Sequence, residues 1–189
     1  MKKILVCTFA AMTLAMPMAQ ADHHGANVAE ARANAMKLGK DLKMTLQQAM
    51  KAGGPIAALE ACNSSAPVIA EKVSSESGWD VARTSLKLRN PDNKPDAWEL
   101  AVLQKFEERK QAGEKPPTLE YSETVMVDGK QTFRFMKAIP TAEVCMNCHG
   151  GDNVKAEVVA KLKELYPDDQ ARGFKTGDLR GAFTLSKSL

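Results

Sequence analysis

The sequence predicts an α+β domain: an antiparallel sheet flanked by helices, with a long N-terminal helix. Three observations predict it. Apolar residues recur at helical spacing from Asn27 to Val73, Asp128-Gly129 sits between two alternating runs, and helices and strands mix without the regular alternation of a parallel sheet. The 189 residues, 44% hydrophobic and 26% charged, suffice for one core without disulfide staples and are too few for a large multidomain enzyme.

Lys2 and Lys3 precede an uncharged run from Ile4 to Met18, followed by Ala19-Gln20-Ala21. This is the pattern of a secretory signal peptide over residues 1–21, with cleavage after Ala21. The run is short of the roughly 20 residues of a membrane-spanning helix, and too few residues precede Cys7 for a lipoprotein leader. Removal takes two lysines from the 26 Lys+Arg and no acid from the 23 Asp+Glu, so the remaining chain is nearly neutral. No basic block is present to attract nucleic acid. No later stretch reaches membrane-spanning length, so residues 22–189 are expected as one periplasmic domain with no membrane span.

Leu38, Leu42 and Leu46, with Ala35 and Ala49, form one face of a helix from Asn27 to Ala52, ended by Gly53-Gly54. Pro55 suits the first turn of a second helix, on which Leu59, Cys62, Ala66, Ile69 and Val73 share a face, so Cys62 is expected to point into the core. Pro67 is expected to kink that helix. Gly78 to Leu88 reads as a strand, Asn90 to Asn93 as a turn, and the segment through Trp98, Val102 and Phe106 as a helix. Leu119–Val127 and Lys130–Ala138 form a hairpin in whose register Glu123 faces Arg134 and Tyr121 faces Met136. Phe133, Phe135 and Met126 take the other face. Both faces carry apolar side chains, so the sheet should be covered on both sides. A helix near Asn153–Leu165 and a strand over Gly181–Ser186 complete the domain.

Cys145-Met146-Asn147-Cys148-His149 is a CxxCH, the attachment motif of c-type haem. Two thiols add across the haem vinyl groups, and the adjacent histidine is held where it can ligate iron; Cys145 and Cys148 are thus the candidate covalent attachment points of one haem c, and His149 the proximal ligand. A thioredoxin-like redox pair and a zinc site of Cys62, Cys145, Cys148 and His149 are the other readings of these residues. No Met follows Met146, so the downstream Met ligand of small electron-transfer cytochromes is absent. Distal candidates are Met136, Cys62, and His23 and His24 near the start of the processed chain. On spacing alone Cys62 is as much a buried core thiol as a ligand. Arg83, Arg89, Asn90 and Arg134 are candidates to hold the haem carboxylates, since guanidinium pairs with carboxylate bidentately.

With these residues placed, the chain resembles a family of periplasmic c-type haem proteins and haem sensor domains with a PAS-like fold. The resemblance runs from about Ala57 to Phe183 and rests on Cys62 with Ala66-Pro67, Gly78-Trp79, Arg83-Thr84-Ser85, Arg89-Asn90-Pro91 with Asn93, Trp98-Glu99, Cys145 to Gly150, Tyr166-Pro167, Gly177-Asp178 and Arg180-Gly181. It implies a PAS-like sheet and an axial pair of His149 and Cys62. A thiolate ligand favours ferric iron and a low potential; its release on reduction would open a site for NO or CO and move the Cys62 helix. The expected function is therefore redox or small-gas sensing in the periplasm, with low-potential electron transfer to a periplasmic redox partner as the alternative. An enzyme such as a peroxidase needs a positioned distal acid or base, and no spare His lies in the folded region, so no enzymatic activity is expected. PAS-like modules often pair, which makes a homodimer an expectation.

Overall fold

The computed structural model describes residues 18–189, so the apolar leader run and Cys7 lie outside the described residues. Helix α1 (Met18–Ser77) is interrupted once, where Gly53 and Gly54 leave helical geometry and Gly54 adopts a φ of 69°. A positive φ carries little cost without a Cβ, so the glycine pair ends the first helical stretch and Pro55 opens the second. The kink expected at Pro67 is corrected: the non-helical dihedrals fall at the glycines and none at the proline. Pro67 and Asn63 are both exposed, so water can satisfy the carbonyl that loses its helical partner.

Strand β1 (Asp80–Thr84) is shorter than the expected Gly78–Leu88 run. It stops where the Ser85 hydroxyl donates to the Arg180 carbonyl at 2.9 Å and accepts from the Lys87 amide at 3.2 Å. The Asn90 side chain then accepts from the Asp92 amide and starts a short turn over Pro91–Asn93. Helix α2 (Ala97–Gln111) begins with a capping box: Asp96 accepts from the Glu99 amide, and Glu99 accepts from the Asp96 amide.

Strands β2 (Glu120–Val127) and β3 (Lys130–Pro140) form the hairpin in the expected register, Tyr121 opposite Met136 and Glu123 opposite Arg134. Asp128 and Gly129 both take positive φ, 49° and 78°, as a two-residue type I′ turn requires. A short helix α3 (Met146–His149), a helix α4 (Ala156–Leu165) and a strand β4 (Leu179–Ser188) follow. The sheet is antiparallel throughout, in the order β1-β4-β3-β2.

Both faces of the sheet are covered. On one, Ala31, Ala35, Leu38 and Val73 of α1 pack on Trp79, Val81, Phe133, Phe135 and Leu185. Gly39 admits the helix closely, since a Cβ there would lie 3.0 Å from the Phe183 ring. On the other, Leu103 and Phe106 of α2 pack on Leu119, Met136, Ala138 and Ala182. Each large side chain buried in this way contributes roughly 1.5–3 kcal/mol. A third cluster of Leu59, Val154, Val158 and Leu162 fastens the second stretch of α1 to α4, with Cys148 of the cysteine motif packed against it. The architecture is α+β with a long N-terminal helix, and no described helix is long and apolar enough to cross a membrane.

Candidate functional site

The CxxCH motif folds as a single tight turn. Glu143–Cys145 forms one 3-10 turn that runs into α3, and the Gly150 amide closes the unit on the Met146 carbonyl at 3.2 Å. Spacing of three residues within this turn sets the Cys145 and Cys148 side chains on one side. Gly150 is required there, because a Cβ would stand 2.7 Å from the Met146 carbonyl oxygen. The thioredoxin-like reading needs a long helix opening at the first cysteine, and a four-residue helix replaces it.

His149 is oriented by a loop distant in sequence. Its Nδ1 lies 2.7 Å from the Ala171 carbonyl oxygen. A carbonyl only accepts, so Nδ1 carries the proton and the lone pair sits on Nε2. Arg89 Nη1 at 3.3 Å and Arg180 Nε at 3.4 Å point at that nitrogen. Burial first, and then the charges of Arg180 and Arg89, hold the imidazole well below the usual histidine range, so it is neutral at pH 7.

A cavity of about 270 Å³ lies beside this nitrogen, bounded by Leu42, Leu46, Leu59 and Ile139 and by the side chains of Cys62, Arg83, Cys145, Cys148, His149, Tyr166 and Arg180. Its charged lining is all of one sign: Lys43, Arg83, Lys87, Arg89 and Arg180 reach it, and no carboxylate does. Cys62 comes from the second stretch of α1 and is half-buried on the cavity wall rather than sunk in the core as expected. Burial pushes its thiol up, opposed by the charges of Arg83 and Arg89. Burial likewise raises the Cys148 thiol. Burial pulls the Arg180 guanidinium down to about 10, helped by the like charges of Arg89 and Arg83.

Of the residues singled out in the sequence, Cys62, Arg83, Arg89, Asn90, Cys145, Cys148 and His149 all meet at this cavity. Met136 and Arg134 are corrected. Met136 is fully buried under α2, and Arg134 pairs with Asp96 at 2.7 Å and Glu99 at 3.3 Å beneath Trp98. The alternation of β3 turns both toward α2, whereas Ile139, of opposite parity, faces the cavity. Arg89 reaches the cavity but is committed elsewhere: it forms a buried fork with both Asp169 oxygens at 3.1 Å and donates to the carbonyls of Cys148 at 2.7 Å and Ala171 at 3.2 Å. It ties the motif to the loop that orients His149. Asn90 caps its turn as well as lining the cavity.

Tyr166 and Arg180 are among the lining residues that reasoning from the sequence left out of the site. His24 lies at Ser122 and Phe133, and neither His23 nor His24 reaches the cavity. Among the described residues no three of His, Cys, Asp and Glu gather as metal ligands, so Cys62, Cys145, Cys148 and His149 face one cavity without forming the compact cluster of a zinc site.

No curated protein matches the chain. The crystal structure of the cyanobacterial heme-protein Tll0287 matches it with a TM-score of 0.61 at 23% identity, covering 81% of this chain and 91% of that one. The pattern of the Tll0287-like family matches residues 4–188, nearly the whole sequence. The chain therefore belongs to the Tll0287-like family.

Proposed function

We propose that the chain is a periplasmic c-type haem protein carrying one covalent haem, with redox or small-gas sensing as its role. The observation that carries this reading is the hydrogen bond from His149 Nδ1 to Ala171, which turns the Nε2 lone pair toward a cavity that Cys145, Cys148 and Cys62 also line. The donor set fits the group: two thiols one turn apart for thioether bonds, a neutral imidazole nitrogen, a second sulfur from another element, and cations for two carboxylates. Cys145 and Cys148 would anchor the haem, His149 and Cys62 would ligate its iron, and Arg180 would supply donors to its carboxylates. When bound, haem would supply one-electron iron chemistry between the positions that His149 and Cys62 take.

The protein's part is to set those positions. Ala171 fixes the His149 tautomer, and Arg89 and Asp169 hold the loop that bears Ala171 against the motif. Cys62 rides on the second stretch of α1, which begins after Gly53-Gly54 and is tied back to the first by the Lys37–Glu76 ion pair at 3.2 Å and by Val73, buried in the same cluster as Leu38. The Tll0287 structure is described as that of a heme-protein, which supports the same cofactor here.

The test is a pair of absorption spectra, ferric and ferrous, of protein matured with a haem-attachment system, beside a Cys62→Ser variant. Haem that survives denaturation and thiolate bands lost in the variant are the expected result. Haem extractable by acid-acetone would overturn covalent attachment. Identical spectra would return Cys62 to a packing role and leave electron transfer as the simpler function.

A further inference from the structure

The cavity is not chemically uniform around its rim. Arg89 is paired with Asp169, and Arg180 donates to His149 and, at 3.4 Å, to the Ser85 hydroxyl. Arg83 and Tyr166 differ from both. Each lines the cavity, and neither side chain makes a hydrogen bond or ion pair to any described residue. Arg83 projects from β1, whose register places it opposite Phe183 on the α1 side of the sheet; Tyr166 follows α4, which packs on the stretch of α1 that carries Cys62.

The charges sort accordingly. The groups that bear most on Cys62 are Arg83 and then Arg89, and those that bear most on Tyr166 are Cys62, Arg89 and Arg83. His149 feels Arg180 and Arg89 first and Arg83 last. Arg83 and Tyr166 thus belong to the Cys62 side of the cavity, and Arg180 to the His149 side. Arg83 is half-buried on the cavity wall, so its guanidinium is available to an anion that enters the cavity.

We infer that Arg83 and Tyr166 are an anion-selecting pair on the Cys62 side of the cavity, so that the ferric protein, once Cys62 is displaced, admits there a small anion of the azide, cyanide or nitrite class in preference to a neutral base. Arg83 supplies charge and a planar fork of donors, and Tyr166 a single hydroxyl donor. Both act on the ligand, not on the protein's own packing. The inference rests on the haem reading above and adds the class of ligand to it.

The experiment uses the full-length haem-loaded protein in a Cys62→Ala background, which removes the competing sulfur. Haem content is measured first by its pyridine adduct; no bound haem sinks the functional reading itself and this inference with it. The ferric protein is then titrated with azide and with neutral imidazole, followed by absorption. With Arg83→Met added, azide affinity is expected to fall at least about tenfold while imidazole affinity changes by less than about threefold. Arg83→Lys is expected to recover part of the azide affinity, and Tyr166→Phe to lower it several-fold. Equal losses for azide and imidazole, or no loss for either, would overturn the pair. If Arg83→Met does not fold, the Lys and Phe variants decide: both must weaken azide more than imidazole for the assignment to stand.

Discussion

His149 Nδ1 and the carbonyl oxygen of Ala171 lie 2.7 Å apart, across 22 positions of sequence. That contact decides which imidazole nitrogen faces the cavity, so the chemistry of the motif depends on a loop outside it. The loop depends in turn on Asp169, which accepts from Arg89 and from the Ala171 amide at 2.9 Å.

Replacing Asp169 with Asn should therefore do more than remove a carboxylate. The Arg89–Asp169 pair is almost wholly buried, and breaking such a pair leaves an uncompensated charge at a cost of about 3–5 kcal/mol. Urea denaturation of wild type and Asp169→Asn would measure it. A change under about 1 kcal/mol would show that the buried guanidinium finds another partner.

Gly181 is the third residue of β4 with a φ of 152°, and a Cβ there would meet the Thr84 carbonyl oxygen at 2.4 Å. Gly181→Ala should destabilise the fold by at least about 1–3 kcal/mol through backbone strain alone. Gly25→Ala, with open space around its α-carbon and a helical backbone, should be neutral or slightly stabilising in the same assay.

Acid should weaken one specific fastening. Glu120 is held below the usual glutamate range, first by its hydrogen bond to Arg32 and then by the charges of Arg32 and Lys137, which ties β2 to α1. A depressed carboxylate stabilises the fold above its unfolded pKa and loses that contribution as pH falls through its folded value. The stability difference between wild type and Glu120→Gln, under about 1 kcal/mol because Arg32 is substantially exposed, should be constant between about pH 7 and pH 5 and close below about pH 4. Chemical denaturation at four pH values would check it, and a difference that grew on acidification would contradict the assignment.

Protein exported from a periplasm-competent host should begin at Asp22, as intact mass and N-terminal sequencing would show. Retention of Met1 would contradict the leader reading.

The hairpin was legible to the residue because its determinants are local: Asp128-Gly129 sets the turn, and a fixed turn sets every facing pair from Val127–Lys130 to Glu120–Lys137. The same register assigns Arg134 and Met136 to one face, but which face bears the cavity depends on where α1 and α2 settle, and that is a tertiary matter. Cys145, Cys148 and His149 could be read because attachment chemistry imposes their spacing. Tyr166 and Arg180 carry no such spacing; one follows a helix and the other opens a strand, and only packing brings them to the same cavity. Pro67 failed as a predictor of a kink because solvent compensates what the proline ring removes.

The strand order has a consequence for how the molecule assembles. β1 has β4 as its sole neighbour, about a hundred residues later in the chain, and β4 is also the inner partner of β3. The hairpin can close early because its halves are adjacent, but the wall bearing Arg83 has nothing to pair with until the final strand docks. Contacts of such long sequence separation are slow to form. Removing Leu179–Ser188 would therefore strand β1 and leave a hairpin with half a core, so the cavity is expected to close last and cooperatively, in a folding step that a C-terminal truncation abolishes.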